Sequence, residues 1–196
     1  MTLRQKQPMM DKAVPERFRV AVEGLLSALD DSGRAGLTLH EVPAPRRLAP
    51  HAVAVAAEIS RGDDEVASGR FVVLHDPDGQ EGWRGDTRVI AFVQAEVDAE
   101  MAADAALGEV GWSWLTESLE VRGAHYTAAG GTVTRTVSAR FGQLAEPDEA
   151  SEVEVRASRT PVGDELDLVR HLGAWSDLLC ATAGLPPPGV SALPGR

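Results

Sequence analysis

Residues 87–97 read TRVIAFVQAEV, and this stretch decides the fold. From Val89 to Val93 every side chain is apolar, so neither face of the segment is left for water. A strand buried on both faces belongs in the middle of a sheet. Working towards the N-terminus, Arg70 to His75 is the next strand. Before it, Val53, Val55, Ala57 and Ile59 alternate with other residues and so bury one face. Gly62-Asp63-Asp64 and Asp76-Pro77-Asp78-Gly79 supply the turns between them. The second fits a type I turn position by position, with Asp first, Pro second and Gly fourth. Three strands joined by tight turns form an antiparallel meander. Leu37 to Val42 adds a short strand at its start. PAPRRLAP, residues 43–50, holds three prolines and reads as an extended connector.

Towards the C-terminus the period changes. Asp98 to Leu107 reads as a short helix with Gly108 past its end. Trp112, Leu115 and Leu119 suggest a second helix that stops at Gly123. Strand signals then return. Gly130-Gly131 marks a tight turn. Val133, Val137, Ala139 and Phe141 alternate against Thr132, Thr134, Thr136, Ser138 and Arg140, with Arg135 placed on the apolar face. Glu146-Pro147-Asp148 turns the chain into a last strand through Val153, Val155 and Ala157. Two helices bracket the sheet. Val14, Phe18, Val22, Leu25 and Leu29 mark one over about 13–30. Leu168, Leu172, Trp175 and Leu179 mark the other, with Asp164 as its cap and Asp167 favouring its dipole. Gly184 and Pro186-Pro187-Pro188 end it. The strands and helices do not alternate as βαβ units. The expected fold is therefore α+β, a single antiparallel sheet of about five strands with an N-terminal and a C-terminal helix packed on it. Residues 1–12 form an arm, 13–185 a single domain and 186–196 a tail.

Composition narrows the function. The chain has 196 residues and a net charge of −11, and a field of that sign repels nucleic-acid backbones and anionic lipid. Both lysines, Lys6 and Lys12, lie in the arm, so the domain has none for a Schiff base or a phosphate loop. Cys180 is the single cysteine, which rules out an intrachain disulfide and suits a reducing cytoplasm. Met1 to Met10 lacks the apolar core of a secretory signal, and no run approaches the ~20 apolar residues of a membrane span. No two of the five histidines lie within ten residues of each other, so no metal or other cofactor is expected.

The residues left for chemistry are aromatics and arginines. Trp83, Arg84, Trp112, Trp114 and Arg135 are the candidate binding residues, because Trp faces and Arg forks suit a planar or anionic ligand or a protein partner. Trp112 and Trp114 lie roughly 200° apart on their helix, so at least one should face outward or line a cleft. An Arg on an apolar face needs a carboxylate or a ligand anion. An enzymatic alternative, hydrolase-like, would gather distant residues around His75 and Asp76. The blander reading of that pair is that Asp76 caps its own turn.

Five blocks carry a resemblance: PAPRRLAP (43–50), GRFVVLHDPDGQEGW (69–83), EVGWSWLTESLE (109–120), YTAAGGTVTRT (126–136) and WSDLLCATAGLPPPGV (175–190). Over about residues 14–190 the chain resembles an actinobacterial family classed as a domain of unknown function. The resemblance implies a cytoplasmic protein and carries no catalytic residues. It also implies an association with RNA metabolism through gene neighbourhood, which the negative charge opposes. The expectation is a non-catalytic binding or regulatory module, with an enzyme as the alternative and an RNA-metabolism accessory protein third.

Overall fold

The computed structural model describes residues 13–31, 34, 36–139, 141–144 and 150–185. The expected arm 1–12, the tail 186–196 and the turn at Glu146-Pro147-Asp148 lie outside the described residues. The elements in chain order are α1 (Glu16–Ser27), β1 (Leu37–Val42), β2 (His51–Arg61), β3 (Asp64–His75), β4 (Thr87–Val97), α2 (Ala99–Ala103), α3 (Leu107–Val121), β5 (Tyr126–Ser138), β6 (Ala150–Pro161) and α4 (Leu168–Thr182).

The strands form one antiparallel sheet in the order β1-β2-β3-β4-β6-β5. The fold is α+β, with the N-terminal and C-terminal helices packed on the sheet. The count is six because Leu37–Val42 pairs along its whole length with β2. After β4 the chain leaves the sheet through α2 and α3, lays down β5 at the far edge, and returns as β6 between β5 and β4. TRVIAFVQAEV is an inner strand, but it is fully buried on one face only: Val89, Ala91 and Val93 are buried, whereas Ile90 and Phe92 on the other face are half-buried.

One face of the sheet carries the helices. Phe18 and Leu25 of α1, Leu115 and Leu119 of α3, and the stripe Leu168, Leu172, Trp175 and Leu179 of α4 pack on Val55, Phe71, Val93 and their neighbours. Trp175 is fully buried, and its indole N–H donates to the Phe92 carbonyl at 3.0 Å. Gly69 makes that approach fit. A Cβ there would lie 2.8 Å from Trp175 Cζ2 and 2.8 Å from the Phe92 oxygen.

Three local readings are corrected. Gly130-Gly131 is not a turn but lies inside β5, beside a bulge between Thr127 and Gly130 where Ala128 takes φ 50°. The glycines serve backbone approach, since a Cβ on Gly131 would sit 2.2 Å from the Arg156 oxygen of β6. The helix expected over 98–107 stops at Ala103, and α3 runs through Gly108. Asp98 caps α2 by accepting from the Met101 N–H at 2.7 Å, and Asp104 accepts from the Ala106 N–H at 2.8 Å to break the two helices apart. The cap of α4 is Asp167 rather than Asp164, accepting from the Arg170 N–H at 3.1 Å.

Candidate functional site

The face opposite the helices is built from the even-numbered positions of the inner strands. Cross-strand pairing sets them in rows. One row runs Ala56, Arg70, Phe92, Arg156, Thr132 across β2, β3, β4, β6 and β5. The row on one side reads Ala54, Val72, Ile90, Ser158, Gly130, and the row on the other reads Glu58, Ser68, Gln94, Glu154, Thr134. One aromatic ring, Phe92, stands between two arginines, with Ala56 and Thr132 beyond them. Residues of β2, β3, β4, β5 and β6 line a groove of about 910 Å³ on this face.

Two guanidinium groups flank the ring. Arg156 lies over Phe92, 5.2 Å from the ring centroid, and is held there by Glu154, which accepts from its Nε at 2.6 Å and its Nη2 at 2.9 Å. The Glu154 carboxylate raises the Arg156 pKa through that hydrogen bond and its charge. Arg70, exposed on the opposite side of Phe92, has no hydrogen bond or ion pair among the described residues. Glu58 and Glu65 stand at the hairpin end of the groove.

The other end of this face is closed by Arg88. Its Nη1 donates to the Ala128 carbonyl at 2.8 Å and to Thr160 Oγ1 at 3.2 Å, and its Nη2 donates to Ser158 Oγ at 2.7 Å. Partial burial lowers its pKa. Arg88 therefore ties the β5 bulge to β4 and β6, and all three acceptors are neutral.

The residues singled out from sequence do not come together. Trp83 packs half-buried on the cluster of Ala54, Val72 and Leu74, beside the groove, while its carbonyl accepts from Thr160 Oγ1. Arg84 follows in an exposed turn at φ 60°. Trp112 and Trp114 lie on the helix side instead, both half-buried against the main core. Trp112 covers Gly131, its Cζ3 2.8 Å from where a Cβ would stand. Arg135 does occupy the helix-facing side, paired with Val153 across the strands. It needs no carboxylate there, because its Nη1 donates to the Ala102 carbonyl at 3.3 Å and the Asp104 carbonyl at 2.6 Å, at the end of α2. Arg70, Phe92 and Arg156 were missed. The signal was available, since pairing every second residue of neighbouring strands lines them up.

Residues 14–191 match a family described as "Protein of unknown function (DUF3000)". The chain belongs to the DUF3000 family. The match takes in every helix and strand, so both faces of the sheet belong to the DUF3000 unit. Neither a curated protein nor a solved structure matches the chain.

In this DUF3000 chain His75 and Asp76 are spent differently. Asp76 caps its own turn, accepting from the Asp78 N–H at 3.2 Å and from Gln80 Nε2 at 3.3 Å. His75 is 5% exposed and stacks on Phe18 of α1, with ring centroids 4.8 Å apart. Its Nδ1 lies 2.9 Å from Thr87 Oγ1, which donates in turn to Asp86 at 2.8 Å. Burial lowers the His75 pKa, with Asp86 opposing. Among the described residues its Nε2 is buried without a partner, as is that of His51 directly across the strands. Among the described residues no three His, Cys, Asp or Glu side chains gather as a metal ion would need, and no helix is long and apolar enough to cross a membrane.

Proposed function

We propose that this DUF3000 protein is a non-catalytic binding module whose working surface is the open face of its sheet. The observation that carries this reading is the groove of about 910 Å³ centred on Phe92. That volume falls within the roughly 300–1,000 Å³ range of small-molecule clefts. Phe92 is half-buried in mid-sheet between Arg70 and Arg156, with Ser68 and Ser158 diagonal to it. Packing alone would favour larger apolar neighbours or a charged, fully wetted face. Trp83, singled out from sequence, borders this face. Trp112, Trp114 and Arg135 support the scaffold from behind.

The test is a fragment screen followed by amide chemical shifts on the isotope-labelled full chain. Hits on the open face that vanish in Ala56→Trp, a substitution that fills the groove, support the reading. Hits that cluster around Trp112 and Trp114, or hits that survive Ala56→Trp, overturn it. Circular dichroism of the variant checks that the sheet is intact.

A further inference from the structure

We propose that the groove takes a flat organic anion, an aromatic carboxylate in chemical class, seated on Phe92 with its acid group at Arg70. The inference rests on the reading of the open face as the working surface and names what that surface receives.

Three observations converge. First, Arg70, Phe92 and Arg156 stand in one row on three adjacent strands. Strands lie about 4.8 Å apart, so the row spans roughly 10 Å, the length of a fused bicyclic ring with a carboxylate. Second, the two guanidinium groups are not equivalent. Arg156 is fixed by two bonds to Glu154 and its charge is met. Arg70 is exposed, lines the groove and has no hydrogen bond or ion pair among the described residues. A planar guanidinium fork matches a carboxylate through two parallel hydrogen bonds. Third, Ser68 and Ser158 stand diagonal to Phe92, and Ala56 and Thr132 lie just beyond the two arginines, so short side chains leave room on either side of the row within the groove.

The charges set the direction of the ligand. Glu58 and Glu65 lie towards one end of the groove, so an anion lying lengthwise along the strands would meet them. An anion lying across the strands, along the row, meets Arg70 and Arg156 and avoids both. A cationic ring would lose contact with Phe92 to the guanidinium groups beside it. The volume holds a small molecule, and the charge of −11 disfavours a long polyanion.

The probe is 2-naphthoate, titrated into the isotope-labelled full chain, with 2-naphthalenemethanol as the neutral counterpart of the same ring. Naphthoate is expected to shift the amides of the Arg70, Phe92 and Arg156 row and to bind at least tenfold more tightly than the alcohol. Arg70→Gln should reduce naphthoate to the level of the alcohol while leaving the melting temperature and the alcohol's affinity unchanged. If both probes bind the row equally, or Arg70→Gln leaves naphthoate binding intact, the anion assignment is overturned and the working face stands. If neither probe shifts the row, and Ala56→Trp also leaves every fragment hit in place, both the assignment and the working face fall.

Discussion

The two faces of the sheet share the same strands, yet they are furnished in opposite ways. On the helix side, Val55, Phe71, Val93 and Val155 meet Trp175 and the leucines of α4, and water is excluded. On the open side, positions one residue away hold Ala56, Arg70, Phe92 and Arg156. Because side chains alternate with a period of two, each strand serves both purposes at once. The contrast teaches that the main core lies on one side of the backbone, while the other carries a smaller cluster around Ala54, Val72 and Leu74 and the proposed working surface. A mutation should affect mainly the side it touches.

The sharpest break would come from the helix side. Trp175→Ala removes a fully buried indole and its bond to the Phe92 carbonyl. A loss of about 3–5 kcal/mol in denaturant unfolding is expected. A loss under 1 kcal/mol would mean the core lies elsewhere. Next comes Trp112→Ala, which uncovers Gly131 and removes a half-buried indole. Roughly 2 kcal/mol is expected, measured the same way. A value equal to that of Trp175→Ala would place Trp112 wholly in the core.

A third test uses pH. On the helix side Arg159 is 1% exposed, and its Nε donates to His171 Nδ1 at 3.1 Å. Among the described residues, neither group makes a hydrogen bond or ion pair with a carboxylate. Burial and the Arg159 charge press the His171 pKa down to about 3, so the imidazole is neutral in the fold. The unfolded chain takes up a proton near pH 6.5, before the folded chain does. Stability is therefore whole above that pH and is lost as pH falls from about 6.5 towards 3. Between pH 7 and pH 5 this single group should remove about 2 kcal/mol. His171→Gln should flatten that part of the slope. An unchanged slope in the variant would mean that other groups set the acid limit. The smallest effect belongs to the open face. Arg70→Gln should stay within about 0.5 kcal/mol of the parent protein in the same unfolding assay. A cost of several kcal/mol would erase the division between the faces.

The legibility of the sequence follows the same division. The inner position of β4, the strand meander, the type I turn at Asp76 and the stripe of α4 were all readable, because burial writes a period into local sequence. The N–H of Gly79 does accept that turn's geometry, donating to the Asp76 carbonyl at 2.8 Å. The bulge in β5 was hidden. A glycine pair carries the same letters whether it turns a chain or lets two backbones touch. The candidate site was hardest to see. Trp83 borders it, but Arg70, Phe92 and Arg156 are 86 residues apart end to end and become neighbours only through register. Phe92 sits in an apolar run that looks uniformly interior, and only the strand on either side shows which of its faces is open. Trp112 and Trp114 stood out because tryptophan is rare here, and both pack half-buried against the main core, away from the open face.

The order of strands has a consequence for how the molecule is made. The last strand in the chain, β6, is an interior one, so β4 leaves the ribosome with one edge unpaired. Residues 97 to 150 separate the end of β4 from the start of its partner. At about 5–20 residues per second, that edge waits roughly 3–10 s for β6 to emerge, and α4 with Trp175 comes later still. The nascent chain therefore holds four strands with one unpaired edge for that interval, and the part of the apolar face that α4 covers stays open until α4 follows β6.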